Sequence, residues 1–189
     1  MKTKIFLILL LTVSLSFGQN ESITVTKKDG TILKVKRYSS KAKYLKLVFE
    51  NKENLKLPYN QLDKVEYEIQ NKKETQKITK QYVKISERNG SMMKLIASGK
   101  CNLYESLSST HYYGSVGGSP GAVTSYYAMR ENEPIATKLG NNSVINFKGF
   151  KSKALEYFQD CPLTVKKIKK KFKRKKTKEL VEFYNANCS

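Results

Sequence analysis

The sequence predicts an α+β protein: an antiparallel β-rich body followed by a C-terminal bundle of about three short helices. Three observations predict it. Asp29-Gly30 and Asn89-Gly90 each stand between β-rich stretches, a strong short-range hairpin signal. Apolar and polar residues alternate through residues 23–69 and again through 80–140, the period of a half-buried strand. Beyond residue 141 the apolar spacing changes to three and four, the period of a helix.

The first eighteen residues stand apart from this pattern. Lys2 and Lys4 precede an apolar run from Ile5 to Leu15, and the small residues Ser16 and Gly18 precede Gln19. This is the layout of a secretory signal peptide occupying 1–18. The run is shorter than the roughly 20 residues that a membrane-spanning helix needs. An exported chain, periplasmic, extracellular or associated with the outer membrane, is the expectation. Export makes disulfides available and makes intracellular nucleic acid an unexpected partner.

Residues 19–69 are expected to form a small antiparallel β domain. ITVTKKDGTILKVKRY reads as a hairpin. In KYLKLVFE, Leu45, Leu47 and Phe49 alternate with Lys46 and Val48, and KVEYEI alternates Val65, Tyr67 and Ile69 with charged residues. About five short strands result. Their layout over 23–69 resembles SH3-like or Sm-like small barrels, which implies a bent sheet or open barrel but no function. Residues 70–79, QNKKETQKIT, are polar without periodicity and read as a linker.

Residues 80–140 read as a β-meander: a hairpin around Asn89-Gly90, a strand through Leu103, and two strands joined by a turn at Glu131 to Pro134. Between them lies STHYYGSVGGSPGAVTS, rich in Gly and Ser, with Pro120 unable to join a ladder. Its tyrosines, Tyr112 and Tyr113, with Tyr126 and Tyr127 on its far side, are candidates to stack on a glycan or dock a partner. The plainer reading has them folding back on the sheet.

Residues 141–189 are expected to hold helices packed on the meander. Phe147, Phe150, Ala154, Tyr157 and Phe158 share one helical face. A second helix is expected to be capped by Asp160 or Cys161, with Pro162 in its first turn and Val165, Ile168 and Phe172 as its apolar stripe. A third is expected to begin at Thr177 as N-cap, with Glu179 near its positive end. The pattern YFQDCP, a Lys-rich helix, then VEFYNANC resembles the ending of small exported, uncharacterised proteins of Bacteroidetes. That resemblance implies an envelope location and supplies no catalytic residues.

Charge narrows the functions. The chain has 36 Lys and Arg against 16 Asp and Glu, a formal net charge of +20. Ten of the thirteen residues from Lys166 to Lys178 are basic and none is acidic. Lys166, Lys167, Lys169, Lys170, Lys171, Lys173, Arg174 and Lys175 are therefore candidates for an anionic surface such as lipid phosphate, lipopolysaccharide or acidic glycan. The alternative is a solvated face whose lysine stems cover apolar surface.

The chemistry-bearing residues are sparse. One His in the whole chain excludes a multi-His metal site within one molecule and leaves His111 as the single imidazole base, and no cofactor motif is present. Cys161 and Cys188 bracket two helices of about ten residues, so an antiparallel return brings them together. A disulfide there closes a loop of about 28 residues, a contribution of about 3–4 kcal/mol; three buried thiols are the alternative. Cys101 would need a base such as His111 to act as a nucleophile. Glu87, Glu105, Glu131 and Glu133 lie near turns and offer a carboxylate-based hydrolase as an outside reading. The reading that fits the whole is a non-enzymatic binding or adaptor module of the cell envelope.

Overall fold

The computed structural model describes residues 23–70, 74–110, 121–141, 147–171, 173 and 176–188. The signal-like segment 1–18 lies outside them. The chain is α+β as expected: an eight-stranded antiparallel sheet, a three-stranded sheet, and three C-terminal helices.

The Asp29-Gly30 hairpin joins β1 (Ile23–Lys27) to β2 (Ile32–Val35). Gly30 takes φ +85, a left-handed conformation open to glycine, and the Asp29 carboxylate accepts the Thr31 N–H at 2.9 Å. Only Lys36 separates β2 from β3 (Arg37–Ser40), yet the chain changes sheets there. β3, β4 (Tyr44–Val48) and β5 (Asn54–Pro58) form the small sheet. The alternation in KYLKLVFE now has its cause: Leu45 and Leu47 are wholly buried, and with Leu57 they meet Val25, Val35, Leu62 and Val65 of the large sheet in one core. Residues 23–70 thus hold six strands where five were expected, divided between two sheets.

β6 (Leu62–Gln70) and β7 (Thr75–Lys84) overturn the expected linker. Residues 75–79 are the first half of β7, paired from Gln70↔Thr75 to Glu66↔Thr79. Thr75, Gln76 and Lys77 are exposed, so backbone pairing holds this stretch as strand without an apolar face to announce it. The large sheet therefore runs unbroken from the N-terminal strands into β8 (Gly90–Ala97), β9 (Cys101–Thr110), β10 (Gly121–Arg130) and β11 (Thr137–Asn141).

The helices cover one end of this sheet. α1 (Phe147–Tyr157) buries Phe150 and Ala154 against Leu103, Ala128 and Leu139. α2 (Pro162–Lys171) buries Ile168, and α3 (Thr177–Asn187) buries Leu180, Val181 and Tyr184. Two expectations need correction. Thr177 is not the N-cap: Lys176 holds that position without a side-chain cap bond, and Thr177 is drawn inward as the first helical residue. The expected stripe on α2 is also shifted, since the residue buried beside Ile168 is Thr164, while Val165 is only partly buried. The Phe172 side chain lies outside the described residues.

Candidate functional site

Cys161 and Cys188 form the expected disulfide, with Cα atoms 5.8 Å apart. The Thr164 hydroxyl lies 3.3 Å from each sulfur, which gives this buried polar group a polar neighbour on both sides. Disulfide, Thr164 and Ile168 together fix the inner face of α2.

The outer face of α2 follows from that anchoring. At about 100° per residue, Lys166 lies opposite Thr164 and Ile168, with Lys170, Leu163 and Lys169 beside it on the outer half of the helix. Lys166, Lys167, Lys169 and Lys170 are all exposed. Among the described residues none of the four forms an ion pair, although Lys176 and Lys178 of α3 pair with Glu179 and Glu182. Lys167 Nζ stands 3.8 Å from the Phe183 ring centroid, and the Lys169 carbonyl accepts Lys151 Nζ, which adds a cation from α1. Pro162, Val165, Lys166, Lys169 and Lys170 line a shallow trough along the helix. Lys173 is exposed beyond its end; the Lys171 side chain, Arg174 and Lys175 lie outside the described residues.

Of the candidate tyrosines, the two that are described do not share a face. Tyr112, Tyr113 and His111 lie outside the described residues. Tyr126 and Tyr127 are consecutive residues of β10 and point to opposite faces. Tyr126 meets Phe150 edge-on at 6.4 Å beneath α1, while Tyr127 packs with Met93 and Tyr104 on the other side. They cannot share one glycan.

A different aromatic group emerges where the two ends of the chain's β structure meet. A groove of ≈ 400 Å³ is lined by Tyr59, Tyr82, Tyr104, Gln81, Asp63 and Glu133 among others. Tyr59 and Tyr82 stack at 3.9 Å with planes 7° apart, and Tyr104 donates its hydroxyl to Gln81 Oε1 at 3.0 Å. These tyrosines come from a turn and two strands far apart in sequence, so no local motif marks them.

The densest polar cluster centres on Arg130, at the end of β10 opposite Cys101. Its Nη1 donates to Glu133 Oε1 at 2.8 Å, its Nη2 to Asp160 Oδ1 at 2.8 Å, and its Nε to the Tyr184 hydroxyl at 3.1 Å. The Tyr157 and Tyr184 hydroxyls each donate at 2.6 Å, to Glu133 Oε2 and Asp160 Oδ2 respectively. Burial opposes charge on Glu133, but the Tyr157 hydroxyl and the Arg130 backbone and guanidinium outweigh it and hold the carboxyl below its ordinary pKa. Burial, with Cys101 and the Glu133 carboxylate nearby, pushes the Tyr157 phenol up, so it remains a donor.

This charge pattern bears on the hydrolase reading. Asp63 and Glu133 do line one groove. A glycosidase-like pair requires one carboxyl with a raised pKa as acid; Glu133 shifts the other way with both oxygens already bonded, so it does not supply that acid. Glu105 lines a separate groove with Lys94 and Tyr126. Glu87 and Glu131 sit in turns. Cys101 is wholly buried and its thiol is pushed up to about 11 by burial, which suppresses the thiolate that a nucleophile needs. No cluster of three or more His, Cys, Asp or Glu that could hold a metal occurs among the described residues, and no helix there is long and apolar enough to cross a membrane.

No protein family, curated protein or solved structure matches this chain in sequence or fold.

Proposed function

We propose that this chain is a non-enzymatic binding module, exported to the cell envelope, that attaches to an anionic surface through the outer face of α2. One observation carries the reading: Lys166, Lys167, Lys169 and Lys170 are exposed on one short helix and lack any acidic partner among the described residues. Like charges spaced three and four apart on a helix cost about 0.2–0.5 kcal/mol per pair. Lys166 with Lys169, Lys166 with Lys170, and Lys167 with Lys170 are such pairs, so an anion relieves a repulsion that the free protein carries. The helix does not need to be ordered on binding, because the disulfide and Ile168 already hold it. The signal-like N-terminus and the disulfide both suit an oxidising compartment.

Retention on immobilised heparin across a salt gradient tests this. The native chain is expected to elute late, and Lys166→Glu with Lys170→Glu to elute markedly earlier with unchanged circular dichroism. Equal retention of the native and charge-reversed chains would remove α2 from the reading, since salt screens the attraction of exposed lysines for an anion and fewer lysines mean earlier elution.

A further inference from the structure

We infer that the anionic partner of α2 is a lipid bilayer surface, into which Leu163 inserts while the neighbouring lysines meet headgroup phosphates. This rests on the reading of α2 as an anion-binding face and names its partner. The observation that extends that reading is Leu163 itself. It is 54 % exposed, one of the most exposed large apolar side chains in the described chain, and it lies one helical turn from Lys166 and Lys167. Exposed Pro162 flanks it.

A hydrated polyanion such as a sulfated glycan satisfies the lysines but leaves Leu163 in water. A bilayer interface satisfies both, because apolar side chains enter the acyl boundary while cationic ones remain among the phosphates. The geometry suits a helix lying in the membrane plane. Cys161, Thr164 and Ile168 face the protein, and Leu163, Lys166 and Lys170 face away from it. Lysine stems flanking an inserted leucine extend the apolar contact while their ammonium groups reach outward. The disulfide, Thr164 and Ile168 anchor the inner face, so Leu163 and the lysines are presented to the surface together.

The chain contains no tryptophan, so Leu163→Trp supplies a single emission reporter at an exposed position. Vesicles of phosphatidylcholine with phosphatidylglycerol are expected to blue-shift its emission, and brominated lipid to quench it; pure phosphatidylcholine and heparin are expected to do neither. Leu163→Ser is expected to weaken vesicle binding about tenfold, the worth of roughly one partly buried leucine, while leaving heparin retention unchanged. Heparin retention with no vesicle-dependent blue shift overturns the lipid inference and leaves the anion-binding reading standing. Absence of both heparin and vesicle binding overturns both. Equal binding to neutral and anionic vesicles overturns the role given to the lysines.

Discussion

The guanidinium of Arg130 stacks on the Tyr157 ring, its carbon 4.3 Å from the centroid, while its Nη2 donates to the Tyr157 carbonyl oxygen at 2.7 Å. One side chain at the end of β10 thereby holds the end of α1 by face and by backbone. Through Asp160 and Tyr184 it also holds the α1–α2 turn and α3. Arg130 thus ties together the elements on either side of α2, while the disulfide, Thr164 and Ile168 hold α2 itself.

Arg130→Ala should therefore destabilise the chain by about 2–4 kcal/mol, because it leaves the Glu133 and Asp160 carboxylates without their shared cation. Arg130→Lys should recover only part of that loss, since an ammonium cannot bridge two carboxylates and lie flat on a ring. Urea denaturation of the three chains measures both differences.

These residues show what the sequence discloses and what it hides. Leu45 and Leu47, or Phe150 and Ala154, declare their element because burial imposes a local period on them. Cys161 and Cys188 are legible because two short helices fix the return distance. Thr75 to Lys77 read as linker because a strand exposed on both sides has no apolar period, and only its backbone partners define it. Tyr126 and Tyr127 look like one patch in sequence, although adjacent strand residues face apart. Arg130, Glu133, Tyr157, Asp160 and Tyr184 come from three separate stretches of chain. Only the Arg130–Glu133 and Tyr157–Asp160 spacings are local, so the cluster has no linear signature; nor do Tyr59 and Tyr82.

Stability should fall on acidification in a way that depends on Glu133. Its folded pKa lies below the ordinary 4.5, so its contribution is fully present above 4.5 and is lost as pH falls through the lower folded value. Glu66, held low by Lys77 and Lys64 against the effect of burial, acts in the same sense. Glu133→Gln should flatten the acid limb of a stability–pH curve measured by urea denaturation. An acid limb unchanged by that substitution would show that Glu133 gains no net stabilisation from its charge.

Reduction should lower the melting temperature by about 10 °C, from a loss of about 3–4 kcal/mol for the loop closed by Cys161 and Cys188. The double variant Cys161→Ala with Cys188→Ala should melt at this lower temperature with or without reductant. Iodoacetamide at pH 8 should leave native Cys101 unmodified, because its thiol is buried and pushed up to about 11 from an ordinary 9.0. Unfolding without reductant should expose one thiol, and unfolding with reductant all three.

Two glycines should respond to alanine with opposite signs. Gly140 lies at the irregular pairing of β10 with β11, at φ +152, and a Cβ there would stand 2.3 Å from Phe150 Cδ2. Phe150 is 1 % exposed and wedged against Tyr126 beneath α1, so it has no room to yield. Gly140→Ala combines a disfavoured backbone conformation with overpacking and should cost about 2–4 kcal/mol. Gly149 lies inside α1, where a Cβ meets nothing within 4 Å. There alanine restrains the unfolded chain and favours helix, so Gly149→Ala should stabilise by about 0.5–1 kcal/mol. Thermal melts of both variants read the contrast. A neutral Gly140→Ala would mean that α1 can lift from β11 at little cost, and that the helical layer carrying α2 is looser than the burial of Phe150 requires.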